Sequence, residues 1–184
     1  MLCIGRTAPS KRLEDNIEFV RRLREQGHKL TLHIAGNNDD DPYFSRISKR
    51  AQKLDWVQLH LNLDRHALDQ LMHSCRYGVH GMRGEQFGMA VAEMQHAGCL
   101  VFVPQLGGCG EVVANPALTF KNIFEAVTKF DAALTSVAQR TIHLRQQAPL
   151  RARFTPKQFC SEFLGHVNEF LCEDNAIPAT DNQP

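Results

Sequence analysis

The chain has 184 residues, a length that suits one domain and falls short of two full ones. Its 43% apolar and 22% charged residues describe ordinary soluble globular protein, and a net charge of +1 gives no field that would draw it to nucleic acid or anionic lipid. No apolar run approaches the roughly 20 residues that cross a bilayer, and the opening Met1-Leu2-Cys3-Ile4-Gly5-Arg6 lacks the basic start and apolar stretch of a secretion signal.

Residues 2–5 predict a short strand and residues 6–11 a polar loop. Leu13, Ile17, Val20 and Leu23 fall at helical spacing, with Gly27 as the stop. Residues 30–35 predict a second strand, ended by Gly36-Asn37-Asn38 and the acidic turn Asp39-Asp40-Asp41-Pro42. Phe44, Ile47, Ala51 and Leu54 mark a second helix, residues 56–61 a third strand, and Asp64 caps a helix carrying Leu68, Leu71 and Met72. A fourth strand at 77–80 leads into the glycine-rich loop Gly81-Met82-Arg83-Gly84, then a helix over about 87–96 stopped by Gly98. Leu100–Pro104 is a fifth strand, Gly107-Gly108-Cys109-Gly110-Glu111 a tight loop, and residues 118–120 a sixth strand. Residues 122–147 are helical in two pieces. Thr155-Pro156 opens a last helix with Phe159, Phe163, Val167 and Phe170 on one face. The polar residues 173–184 read as a disordered tail.

Strand and helix alternate about six times, and parallel strands need such crossovers. The expected fold is α/β: a Rossmann-like open parallel sheet with helices on both faces. Ligands of such sheets bind beyond the carboxyl ends of the strands, so the loops at 6–11, 36–42, 81–87 and 105–111 are the ones to inspect.

Arg6 and Lys11 precede a helix N-terminus, which favours anions, and together they could clamp a diphosphate; surface charge is the simpler reading of either alone. Glu85 precedes a helix and Glu93 lies in its second turn; carboxylates accept hydrogen bonds from vicinal hydroxyls, though a glutamate in a first turn also simply complements the dipole. Met89, Ala90, Met94 and Ala97 read as core packing. The three glycines of the 107–111 loop suit a tight path against a ligand or a plain turn equally, and they argue against ordinary helix or strand there. Cys109 has no activating neighbour in sequence. Neither a Gly-x-Gly-x-x-Gly nor a Gly-x-x-x-x-Gly-Lys-Ser/Thr motif is present. The six cysteines are scattered, with no Cys-x-x-Cys pair, which reads as free thiols in a reducing cytoplasm. His60, His66 and His73 lack metal-ligand spacing, and the run at Asp39-Asp40-Asp41 reads as a solvated turn, so no metal is expected.

In order and spacing, these loops resemble the C-terminal domain of family 4 (group 1) glycosyltransferases of the GT-B fold. The resemblance rests on Gly5-Arg6 with Lys11, His33-Ile34-Ala35-Gly36, Glu85 and Glu93 within EQFGMAVAE, Ala97-Gly98-Cys99, Gly107-Gly108 followed by Glu111, and Arg153-Phe154-Thr155, over roughly residues 1–172. It implies a nucleotide-sugar-binding domain that includes a return helix at about 156–172, acting in retaining glycosyl transfer without a metal cofactor. Arg6 and Lys11 would neutralise the donor diphosphate, Glu85 would hold hydroxyls of the transferred sugar, and Glu93 would bind the ribose. The backbone at Phe87, Gly88 and Met89 would touch sugar and phosphate, with Gly5, Gly107, Gly108 and Glu111 lining the cleft. The sequence departs from the family pattern at Gly81-Met82, where Pro-Ser is common, and at Gly110, where proline is common. The resemblance also implies an N-terminal acceptor domain that the 184 residues do not contain, supplied by a longer chain or a partner; through that half the protein would meet a membrane, if at all. A non-catalytic nucleotide-sugar-binding module, or one subunit of a split enzyme, is the alternative.

Overall fold

The computed structural model describes residues 1–37, 41–134 and 136–174. Among them the elements run β1 (Leu2–Ile4), α1 (Leu13–Glu25), β2 (Leu32–Gly36), α2 (Asp41–Ala51), β3 (Val57–Leu61), α3 (Arg65–Ser74), β4 (Tyr77–Val79), α4 (Met89–His96), β5 (Leu100–Pro104), α5 (Gly108–Val113), β6 (Thr119–Phe120), α6 (Ile123–Leu134), α7 (Val137–Gln147) and α8 (Pro156–Asp174). The strands form one parallel sheet in the order β3-β2-β1-β4-β5-β6. This is the expected open parallel sheet. The chain builds outward from β1 to β3, then returns to lay β4 beside β1 and builds the other way. The loops after β1 and β4 therefore leave the centre of the carboxyl edge side by side, at the switch point where sheets of this kind bind ligands.

Both faces of the sheet are covered. All five residues of β5 are buried, as a strand packed on two sides requires. Phe102 meets Phe19 of α1 and Phe130 of α6 with ring centroids 6.0 and 5.2 Å away. On the opposite face Met94 of α4 lies over Gly78 and Val101. Gln147, buried at the end of α7, donates from Nε2 to the carbonyls of Gln95 and Cys99, both at 3.0 Å, and so ties the C-terminus of α4 to the helical layer.

Several local expectations hold. The backbone N–H of Ala67 donates to Asp64 Oδ1 at 2.7 Å, capping α3, and that of Gln158 donates to Thr155 Oγ1 at 3.2 Å, capping α8. Others are corrected. Gly108 to Val113 form a short helix rather than a tight loop. Asp41 and Pro42 belong to the first turn of α2; the rest of the acidic run, at Asp39 and Asp40, lies outside the described residues. Helix α8 continues to Asp174, past the expected end at 172, and the tail from 175 lies outside the described residues.

From Pro156 to Cys172 every residue of α8 is exposed, including Phe159, Phe163, Leu164, Phe170 and Leu171. No helix among the described residues is long and apolar enough to cross a membrane.

Candidate functional site

The centre of the carboxyl edge is built by the loops after β1 and β4. Lys11, in a 3-10 turn before α1, places Nζ 2.6 Å from Glu85 Oε2 and 3.3 Å from Met82 Sδ. The two side chains retain only 17% and 20% exposure, so water screens the pair weakly. The Lys11 ammonium, with a smaller contribution from His80, holds the Glu85 carboxyl below its usual range against the opposing pull of desolvation. The stem of Lys11 packs along Gly5. Seventy-four positions separate lysine from glutamate in sequence, and the β1–β4 neighbourhood alone brings them together.

A second backbone layer fixes Glu85. Its carbonyl accepts the N–H of Gly108 at 2.7 Å, Gly84 N–H donates to the Leu106 carbonyl at 3.1 Å, and Glu85 bridges Gly107 as if the two loops were a strand pair. A Cβ on Gly108 would lie 1.9 Å from the Gln86 carbonyl oxygen. Glycine is therefore required at 108 because another backbone occupies the space, and not because a helix is broken there, which is why α5 can begin at that residue. Gly88 caps α4 with φ +93°, and a Cβ there would meet Cys109 Sγ at 2.5 Å. Cys109 is buried under this turn; burial, followed by the Glu85 charge, pushes its thiol up to about 11, so it is no nucleophile at neutral pH.

Flanking clefts extend the site. One of about 210 Å³ is lined by Gly5, Arg6, Gly36, Asn37, Leu63 and Leu68, beyond β1 and β2. The other, of about 670 Å³, is lined by Phe87, Met89, Glu93, Arg153, Phe154 and Phe159. Phe87 stacks edge-on against Phe154 with centroids 5.2 Å apart. Glu93 Oε1 receives Arg65 Nη1 at 2.8 Å from the start of α3.

Of the residues singled out in sequence, Gly5, Lys11, Glu85, Gly107 and Gly108 come together around one ion pair. Arg6 lines the smaller cleft, and Phe87, Met89 and Glu93 line the larger one. Glu111 is exposed on the first turn of α5. Met94 is core as expected, but Met89 is 74% exposed. The helical phase explains the difference: Met89 is two residues, about 200°, from the buried Val91, and shares its face with Glu93. Sequence reasoning missed Arg65 and His80. His80 directly follows β4 with 2% exposure, and its Nε2 lies 3.3 Å from Glu85 Oε2. A histidine closing an apolar strand next to a glycine loop was the available signal; for Arg65 there was none. Among the described residues, no three His, Cys, Asp or Glu side chains converge as a metal would require.

Residues 1–147 match the family model described as glycosyl transferases group 1. The chain is 27% identical over 163 residues to a glycogen synthase of Mycobacterium tuberculosis, covering 89% of this chain and 38% of the relative. It is 28% identical over 171 residues to a GDP-Man:Man(3)GlcNAc(2)-PP-Dol alpha-1,2-mannosyltransferase of Neurospora crassa, covering 83% and 29%. It thus spans well under half the length of these relatives. Among solved structures, the pneumococcal O-GlcNAc transferase GtfA in complex with UDP and GlcNAc superposes with a TM-score of 0.72 at 15% identity, over 92% of this chain and 35% of that one, a likeness of fold. With four-fifths of its residues inside the family match and its sheet built the same way, the chain belongs to the group 1 glycosyl transferases.

Proposed function

We propose that this chain is the donor half of a retaining, family 4 glycosyltransferase, binding a nucleotide-diphosphate sugar at the crevice between β1 and β4. The observation that carries the reading is the Lys11–Glu85 pair, set at the sheet's switch point within the family match. An ammonium has three donors; Glu85 takes one and Met82 Sδ weakly takes a second, so Lys11 keeps one for a phosphate oxygen. Glu85 Oε1 has no hydrogen-bond partner among the described residues and stands ready for a sugar hydroxyl.

In this reading Arg6 joins Lys11 in neutralising the diphosphate as the anomeric C–O bond breaks. Removing one such contact typically costs about 2.7–4 kcal/mol of transition-state stabilisation. These cations, rather than a metal, carry the charge. Glu93 accepts the ribose hydroxyls after Arg65 yields one oxygen. The backbone at Phe87, Gly88 and Met89 meets sugar and phosphate, Gly107-Gly108 frame the cleft, and Glu111 lies at its margin. The four buried and two exposed free cysteines fit a reducing cytoplasm.

The acceptor would come from a second domain or a partner chain. The open apolar side of α8, with Phe159, Phe163 and Phe170 each more than half exposed, supports a surface that another domain covers. It also favours a chain that works with an acceptor half, as a piece of a longer protein or beside a partner, over a self-sufficient binding module.

Calorimetric titration of the chain with UDP, GDP, ADP and their common sugar conjugates tests the donor assignment. Saturable binding of one base, weakened in Lys11→Ala, is expected; no binding at millimolar ligand would overturn the assignment for this chain.

A further inference from the structure

We propose that His80 is a positioning residue that fixes Glu85 so that one carboxylate oxygen stays free for the sugar of the donor; this rests on the donor reading above. His80 Nε2 has no hydrogen-bond partner, although Glu85 Oε2 lies 3.3 Å away. A buried nitrogen left without a partner is unfavourable, and an apolar side chain of similar volume would fill the end of β4 without that cost. The atom is closed to solvent and so to ligand. Whatever it does at the site, it does through Glu85.

The geometry sets the tautomer. An unprotonated Nε2 would aim its lone pair at a carboxylate oxygen 3.3 Å away, which is repulsive. With the proton on Nε2, the same approach is attractive, and a small rotation completes the hydrogen bond. The ring is held neutral: burial, then the Lys11 charge, lower its pKa more than Glu85 raises it. The charged and titratable groups that meet here are Lys11 from the loop after β1, Glu85 from the loop after β4, and the Cys109 thiol from α5. Lys11 and His80 thus reach the same oxygen, Oε2, from two directions. Two anchors on Oε2 fix the carboxylate plane and direct Oε1 to the crevice.

Two measurements on the 184-residue chain test this. In nitrogen-15 NMR of labelled histidine, His80 is expected as the neutral Nε2–H tautomer, with a resonance that moves in Glu85→Gln. An Nδ1–H tautomer, or a resonance indifferent to Glu85→Gln, overturns the proposal without any ligand. In calorimetry, UDP-glucose, GDP-mannose and ADP-glucose are compared with UDP, GDP and ADP, using variants whose fold is checked by melting. His80→Leu is expected to lose about tenfold in affinity for the conjugate that binds, the scale of one hydrogen bond to a charged group. The matching nucleoside diphosphate should be nearly unaffected, and His80→Gln, which keeps a donor, should restore much of the loss. Equal losses for conjugate and diphosphate mean a merely structural histidine and overturn the proposal while leaving the donor reading intact. If the wild-type chain binds none of the six probes, the donor reading fails and takes the sugar half of this proposal with it; the NMR result then decides the His80–Glu85 contact alone.

Discussion

Lys11–Glu85 and Arg65–Glu93 are both cation–carboxylate pairs on the carboxyl side of the sheet, with N···O distances of 2.6 and 2.8 Å. Distance does not separate them; water does. The first pair keeps 17% and 20% exposure, the second 63% and 37%. In bulk water two unit charges 4 Å apart interact by about 1 kcal/mol, and by about 4 kcal/mol at the effective dielectric near a protein surface. The inner pair therefore shapes its site, with Glu85 held ionised and aligned. The outer pair can exchange a guanidinium for ligand hydroxyls at small cost. A rigid carboxylate at the crevice centre and an exchangeable one at its flank match the roles proposed for sugar and ribose.

The largest effect should come from breaking the frame of the inner pair. Gly108→Ala would place a methyl group 1.9 Å from the Gln86 carbonyl oxygen, on backbone that cannot swing aside. A loss of about 3 kcal/mol or more is expected in urea denaturation, at the upper end for overpacking. A loss under about 1 kcal/mol would mean that the 84–87 and 105–108 loops are not zipped together as described.

Next in size is the pair itself. Lys11→Met leaves Glu85 without its main partner, and because the site is partly open we expect about 1–2 kcal/mol, less than for a fully buried pair. The pH dependence has a definite sign. The folded Glu85 pKa lies below its ordinary value, so its stabilisation is fully present above the unfolded carboxylate value of about 4.3 and is lost as pH falls through the lowered folded value. The stability difference between wild type and Glu85→Gln should shrink between pH 6 and pH 3. A difference that grows on acidification would sink the assignment of Lys11 as the cause.

How much of this was legible in the sequence depends on whether the cause was local. The apolar run of β5, the Asp64 and Thr155 caps and the alternation of elements are local, and all were readable. The break between α6 and α7 was also legible. The Lys11–Glu85 contact was not, because it exists only after β4 returns beside β1, although each residue could be suspected by itself. The glycines at 107–110 were misread for a related reason: composition signals that a side chain is excluded, but not whether a turn or a neighbouring backbone excludes it. At Gly107 and Gly108 it is the backbone of residues 84–87, and at Gly110 the Gln105 carbonyl, so the helix α5 survives. Met89 was assigned to the core from its apolar character, against the phase set by Val91 and Met94. Arg65 was invisible because its partner belongs to a different helix.

The smallest effect sharpens the comparison from the other side. Arg65→Ala removes an exposed ion pair and the i,i+4 contact of Arg65 with Asp69, and together these should change stability by less than about 0.5 kcal/mol. The consequence should appear in binding instead. If Glu93 is the ribose carboxylate, Arg65 competes with the ribose, and its removal should leave nucleotide affinity unchanged or slightly raised at low salt, where the competing pair is strongest. Glu93→Ala should weaken a ribonucleotide and leave inorganic pyrophosphate almost untouched. Equal losses for the two ligands would remove Glu93 from the ribose and return the Arg65–Glu93 pair to an ordinary surface contact between α3 and α4. A large loss of stability in Arg65→Ala would undo the contrast between the pairs altogether, since it would show that exposure does not govern what each pair contributes.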